Sequence, residues 1–99
     1  MNRGTTPINK FMTDGIDLSD AVAVYITYKQ NGKTVIEKTK EDIEFGEGYL
    51  QVRLTQEETL KFKDHVVYIQ IRARFFDGSA IASNMIRTSV NNILKDGVI

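Results

Sequence analysis

Alternation of apolar and polar residues, with a period of two, is the main pattern along this chain. It is clearest in residues 21–29 and 67–75, and such alternation is typical of strands that bury one face. Shorter alternating runs lie at about 5–13 and 33–39, and further runs flank two glycine-containing turns. The pattern predicts an all-β chain of about seven strands joined mainly by tight hairpins.

Two strands carry most of the expected core. In an extended strand, every second side chain points to the same face. The sixth strand should therefore turn Tyr68, Gln70, Arg72 and Arg74 towards solvent. The residues predicted to face the core are Val22, Val24, Ile26 and Tyr28 in the second strand, Val67, Ile69, Ile71, Ala73 and Phe75 in the sixth, and Ala80, Ala82 and Ile86 in the seventh.

The first hairpin contains Asn-Gly, which can close loops of different lengths. A two-residue loop would place a core-facing isoleucine opposite a glutamate. We therefore predict a three-residue loop at 30–32 with the glycine in a left-handed bulge. This register places Ile26 opposite Ile36, and Tyr28 opposite Thr34. A slip of one residue would exchange the two faces of the strand.

The other two hairpins are expected to have two-residue turns, at 47–48 and at 77–78. Both turns end in glycine, which tolerates the positive φ that such turns need. The predicted cross-strand pairs are Ile43 with Val52, Phe45 with Leu50, the oppositely charged Asp42 with Arg53, and Ala73 with Ala82.

A helical start signal interrupts the strands. Thr55 and Glu58 have the spacing of a capping box, in which two side chains satisfy exposed amides at a helix start. We predict a helical turn near 55–62, with Leu60 and Phe62 closing one end of the core. Immunoglobulin-type domains turn a corner at this point. We predict one immunoglobulin-like antiparallel β-sandwich over residues 1–99, with strands 2, 3, 6 and 7 in one sheet and 1, 4 and 5 in the other.

The composition argues against most chemistries. Thirteen basic and thirteen acidic residues cancel, and the chain has no cysteine and one histidine. His65 has no recognisable nucleophile beside it, and no glycine-rich phosphate loop precedes a helix. We therefore expect a non-enzymatic protein without a cofactor. No run is long and apolar enough for a membrane span or a signal peptide, so synthesis in a cytoplasm and no membrane partner are expected.

Two charged clusters are candidates for binding sites. Asp14, Asp17 and Asp20 are spaced by three, unlike the alternating ligands of an EF-hand loop, so a solvated turn with an Asx cap is expected and no metal site. Nucleic acid is not an expected partner, because the chain is neutral and alternating arginines on a strand are typical of a solvated face. The basic residues that could form such a binding face with Tyr68 are Arg53, Arg72, Arg74 and Arg87.

The C-terminal segment 91–99 is unusually apolar. Terminal segments are normally polar, whereas this one carries Ile93, Leu94, Val98 and Ile99 around a Lys-Asp-Gly turn. One interpretation is a tail folded back on its own core. The other is an assembly contact with a neighbour, because exposed apolar residues promote association. The four residues are our candidate assembly contact.

Four stretches of the chain resemble small virion proteins encoded by phages and prophages of Gram-positive, gut-type bacteria: "RGTTP" at 3–7, "YKQNGK" at 28–33, "LTQEETLKF" at 54–62 and "DGSAIASNMIRTSVNNILKDGVI" at 77–99. The resemblance covers almost the whole chain but marks no active site. It implies a non-catalytic structural subunit of a phage tail or capsid, made in the bacterial cytoplasm and located in the virion. Its partners would be other phage structural proteins or copies of itself in a homo-oligomer. The alternative is a binding module, such as a host-directed inhibitor or a carbohydrate-binding appendage.

Overall fold

The computed structural model describes residues 1–99 as eight strands and three short helical segments. None of the helices has the length and apolar character needed to cross a membrane. The strands are β1 (Ile8–Met12), β2 (Ala23–Gln30), β3 (Lys33–Thr39), β4 (Ile43–Gly46), β5 (Tyr49–Arg53), β6 (Val66–Arg74), β7 (Ala80–Ala82) and β8 (Ile86–Ser89); the helix α1 spans Gln56–Leu60, and 3-10 turns span Leu18–Asp20 and Lys40–Asp42.

Two antiparallel sheets form the predicted immunoglobulin-like sandwich. One has the order β1-β5-β4, and the other has the order β3-β2-β6-β7 with β8 also paired to β6. This confirms the assignment of strands to sheets, with the predicted seventh strand divided into β7 and β8. In immunoglobulin domains the first strand of the fold lies at the edge of one sheet, and the second strand lies between it and the fifth. β1 pairs with β5 and therefore corresponds to this second strand. The place of the first strand, beside β1, is open over most of its length.

The β4–β5 hairpin has the predicted register. Ile43 lies opposite Val52 and Phe45 opposite Leu50. The predicted pairing of Asp42 with Arg53 is wrong, because Asp42 belongs to the 3-10 turn rather than to β4. Its carboxylate accepts a hydrogen bond from the Thr39 amide at 3.0 Å.

The β2–β3 hairpin corrects the predicted register. Asn31 and Gly32 both have positive φ, of 51° and 74°, so they form a two-residue turn. The extra residue lies further along, in a bulge beside Tyr28, which is paired with Ile36 instead of Thr34. Ile26 is opposite Lys38 rather than Ile36. The longer loop was expected to turn Ile36 towards the core. The bulge has the same effect on β3, and Ile36 is buried.

The β6–β7 hairpin also differs from the prediction, by one residue. Phe75 and Ser79 close a three-residue loop through a 2.8 Å hydrogen bond from the Phe75 amide. Gly78, the third loop residue, has a φ of 89°. Ala73 therefore pairs with Ile81 instead of Ala82. Consequently the two β7 alanines predicted to face the core lie on the solvent side with the arginines, and both are exposed.

The core contains the alternating residues of β2 and β6, as predicted. Phe75, half-buried, packs against it. Ile86 lies opposite Ile69 but is 37% exposed, so the prediction that it belongs to the core is wrong. The prediction that Val22 faces the core is wrong, because Val22 precedes β2 and is 47% exposed. The confirmed buried residues of these two strands are Val24, Ile26, Tyr28, Val67, Ile69, Ile71 and Ala73.

The corner at α1 closes one end of the sandwich. The capping box is present, because the Glu58 amide donates to the Thr55 hydroxyl and the Thr55 amide donates to the Glu58 carboxylate. Phe62 follows α1, is 1% exposed and packs 5.9 Å, between ring centroids, from Tyr28. Leu60 is only half-buried. Burial, and then the charge of Glu58, raise the pKa of the Tyr28 hydroxyl, which donates to Asn9.

Glu58 also joins α1 to β3 through Lys38, whose Nζ lies 2.7 Å from Glu58 Oε2. Burial alone would raise the pKa of the Glu58 carboxyl, but hydrogen bonds from Lys38 and Thr55 lower this pKa below its ordinary value of 4.5. A carboxyl with a lowered pKa stabilises the fold above its unfolded pKa, and this contribution is lost as pH falls through the folded pKa.

We expect Glu58→Gln to keep the capping box and lose the ion pair, at a cost of roughly 1–2 kcal/mol near pH 7. The difference in unfolding free energy between wild type and variant should shrink as the pH falls below 4.5. Urea unfolding at a series of pH values measures it. Glu57→Gln, an exposed neighbour on α1, is the control and should show no such convergence. A pH-independent difference would mean that the ion pair does not stabilise the fold.

Candidate assembly interface

The four apolar residues of the C-terminal segment have different environments. Ile93 is half-buried, and its Cδ1 lies so close to Gly4 that a Cβ there would be 2.8 Å away. Leu94 is fully exposed, Ile99 is 86% exposed and Val98 is 56% exposed. One isoleucine therefore packs on the domain, while three large apolar side chains face solvent.

Polar contacts hold this segment against its own domain. The Arg3 guanidinium donates to the carbonyls of Leu60 and Phe62, and to the Asn92 side chain at 2.7 Å. It also lies 3.4 Å from the Asp96 carboxylate. Further on, the Ile99 amide donates to the Gln56 side chain at 2.9 Å. The segment thus folds back beside α1 without burying most of its apolar surface.

The β1 strand has an unpaired edge. Bonds from Leu54 to the Pro7 carbonyl and from Thr13 to the Gly48 carbonyl place the odd-numbered residues of β1 towards β5. Because antiparallel strands alternate their hydrogen-bonding direction, Ile8, Lys10 and Met12 direct their backbone groups away from the sheet. Such an edge is a ready template for another strand.

The opposite sheet ends in a second open edge, along β7 and β8. Ala80 and Ala82 direct their backbone groups away from β6, since the flanking odd-numbered residues bond to it. The last part of this edge is covered, because the Asn91 amide donates to Met1 and the Arg3 amide donates to Asn91. This pairing with the N-terminal residues ends there, so the outer backbone groups of β7 have no strand partner.

A groove lies between the last part of β1 and β7, at the open side between the two sheets. It encloses about 450 Å³, and seven of its eleven lining residues are hydrophobic. Ile71 and Ala73 of the core line it together with Ile16, Leu18 and Ile81. This groove was not predicted from the sequence, because the predicted register turns Ile81 to solvent and the 14–20 segment has the composition of a polar loop.

The acidic loop beside the groove has the structure expected of an Asx-capped turn. Asp17 accepts hydrogen bonds from the amide and hydroxyl of Ser19, which lower the pKa of its carboxyl. Leu18 between them is buried. Asp14 is the only charged residue among those that line the groove.

The basic residues do not form one continuous cluster. Arg72, Arg74 and Arg87 lie on the outer face of the larger sheet with Tyr68, as their alternation predicts. Arg53 lies on the other sheet, opposite Ile8. The surface of the fold therefore presents an apolar segment, two unpaired sheet edges and an apolar groove.

Comparisons of the chain with protein-family models, curated proteins and solved structures find no match.

Proposed function

We propose that this protein is a non-catalytic structural subunit of a phage particle, which assembles through protein–protein contacts with copies of itself or with other particle proteins. The phage setting is supported by the sequence resemblance of residues 3–7, 28–33, 54–62 and 77–99. The mode of action is supported by the surface features of the fold.

The C-terminal segment carries the proposal. Leu94, Val98 and Ile99 are exposed together, although burying each such side chain is worth about 1.5–3 kcal/mol. Hydrogen bonds to Arg3 and Gln56 keep the segment close to the domain. An ordered apolar segment costs less entropy to dock than a flexible one. It is therefore suited to bind a neighbouring subunit.

Ending the chain after Asn92 tests this function. The Arg3–Asn92 contact remains, so the sandwich should still fold, as circular dichroism and urea unfolding can show. We expect the full-length protein to form oligomers in analytical ultracentrifugation and the shortened protein to remain monomeric. The physical reason is loss of the apolar side chains that would be buried between subunits.

A full-length variant tests the same contact without depending on whether the shortened chain folds. Leu94→Asp combined with Val98→Asp keeps the Arg3 contacts and should also be monomeric. Phe76→Asp, which changes an exposed aromatic residue in the β6–β7 loop, is the matched control and should assemble like wild type. Unchanged assembly of the shortened chain and of the double variant would refute the proposal. A folded wild-type protein that is monomeric at all concentrations would favour the alternative of a monomeric binding module.

A further inference from the structure

We propose that the outer face of the larger sheet binds single-stranded nucleic acid. This inference concerns a different surface from the C-terminal segment and does not depend on assembly. Residues directly opposite each other in paired strands point to the same side of a sheet, so the pairing of β2, β6 and β8 identifies the members of this face. Its aromatic and cationic members, called the basic face below, are Tyr25, Lys29, Tyr68, Arg72, Arg74 and Arg87.

The fold gives this face a positive charge although the whole chain is neutral. The basic face carries four cations, whereas the acidic strand residue on the same side of the sheet is Glu37, opposite Thr27 on the edge strand β3. None of the four cations forms an ion pair, since both ion pairs of the structure join other residues. The expectation that nucleic acid is not a partner rested on the neutrality of the sequence, and this surface is not neutral.

The two exposed tyrosines lie beside the cations. Tyr68 lies between Lys29 of β2 and Arg87 of β8, with each of them directly opposite it. Tyr25 lies opposite Arg72. The two tyrosines are 44% and 45% exposed, so part of each is open to a ligand. Aromatic rings on which bases stack, beside cations that contact the phosphates, are the usual components of a surface for single-stranded nucleic acid.

The arrangement of the rings favours a single strand over a duplex. A base stacks on a protein ring only after it leaves the stack of its own strand, which single strands permit and duplexes resist. Four residues of β2 separate the row of Tyr25 from the row of Tyr68, a distance of about 13 Å along the strand. One extended strand can therefore contact both rings.

A shallow depression between the two rows adds polar partners for a base. It encloses about 360 Å³, and its lining residues include Lys29, Tyr68, Gln70 and Arg72. This volume is within the range of small-ligand sites, roughly 300–1,000 Å³. Gln70 donates through its Nε2 to the Ser83 carbonyl, which leaves its side-chain oxygen as an acceptor. An acidic protein segment would use only the cations, whereas a nucleic acid also uses the rings and the depression.

Fluorescence anisotropy with a labelled oligodeoxythymidine tests the proposal. A length of about 12 nucleotides is suitable, since one OB-fold domain covers roughly 4–16 nucleotides. Four phosphate contacts predict a slope of about −3 for the logarithm of affinity against the logarithm of salt concentration, or roughly a 50-fold loss between about 50 and 200 mM salt. Tyr68→Ala should weaken binding about fivefold or more, because it removes a stacking ring, whereas Tyr68→Phe should bind like wild type.

Two matched variants separate the basic face from general positive charge. Arg72→Gln should weaken binding and reduce the salt slope by about 0.7, the contribution of one phosphate contact. Arg53→Gln removes the same charge from the other sheet and should leave both the affinity and the slope unchanged. Circular dichroism shows whether the variants are folded, which is expected because all of the substituted residues are exposed.

Selective losses from Tyr68→Ala and Arg72→Gln support the proposal. The absence of binding at about 50 mM salt, or equal losses from Arg72→Gln and Arg53→Gln, would overturn it. Polyglutamate that displaces the oligonucleotide, together with an unchanged affinity of Tyr68→Ala, would assign the face to an acidic protein partner instead. A duplex of the same length that binds as tightly as the single strand would show that the rings do not stack on bases, and this result also contradicts the proposal.

Discussion

Phe62→Ala is expected to lower the free energy of unfolding by about 3–5 kcal/mol, the range for removing a buried aromatic side chain. The ring is 1% exposed and packs against Tyr28 at the end of the sandwich closed by α1. Its removal would leave a cavity whose walls are held by the α1 corner and by β2, so the site has little freedom to collapse. Urea or thermal unfolding measures the loss.

Phe76→Ala is the matched control, since the same side chain is 95% exposed in the β6–β7 loop. Surface substitutions away from special contacts usually change stability by less than about 0.5 kcal/mol. Equal costs for the two variants would contradict the assignment of Phe62 to the core.

Gln30→Leu is expected to cost about 1–3 kcal/mol, because it leaves the Lys63 amide without its hydrogen-bond partner. Gln30 is 4% exposed at the end of β2. Its Oε1 accepts from the Lys63 amide at 2.8 Å, and its Nε2 donates to the Lys63 carbonyl at 3.0 Å. Nε2 also lies 3.4 Å from the His65 carbonyl. The side chain thus replaces a backbone partner for the segment between α1 and β6.

Gln51→Leu serves as the control for this substitution. The Gln51 side chain donates to Glu44 at the exposed surface, where water can replace the lost partner. A change within about 0.5 kcal/mol is expected. If Gln30→Leu were equally mild in urea unfolding, the hydrogen bonds of Gln30 would not be holding this corner together.

The two predictions concern the same end of the molecule, and this end also anchors the candidate assembly segment. Arg3 donates to the Phe62 carbonyl and to Asn92, so the corner that closes the core also positions residues 92–99. A loose corner would release the segment and raise the entropy cost of docking it on a neighbour. Core variants at Phe62 should therefore be compared in assembly experiments only under conditions where they are folded.

The sequence alone determined the faces of the strands, because side-chain alternation is a local property of an extended backbone. Val67, Ile69 and Ile71 face the core as their spacing predicts. The capping box of Thr55 and Glu58 was equally local, since both groups lie within one helical turn. The division of strands between sheets followed from the hairpins and from this corner.

Only the tertiary structure decided the registers of the β2–β3 and β6–β7 hairpins, because a turn sequence such as Asn-Gly permits loops of more than one length. In the first hairpin the extra residue lies in a bulge beside Tyr28 rather than in the loop. In the last hairpin a three-residue loop turned Ile81 towards the core side and so formed a wall of the groove. These choices depend on packing between residues distant in sequence, which local patterns do not encode.

The candidate interface divides in the same way. The apolar character of residues 91–99 was evident from their composition, but their exposure was not. It depends on where Arg3 and Gln56 hold the segment, and those residues lie more than 40 positions away. The groove was beyond sequence reasoning, since it is formed where β1, the 14–20 loop and β7 leave the place of a strand unfilled. An unfilled place is a property of the assembled sheets and of no single segment.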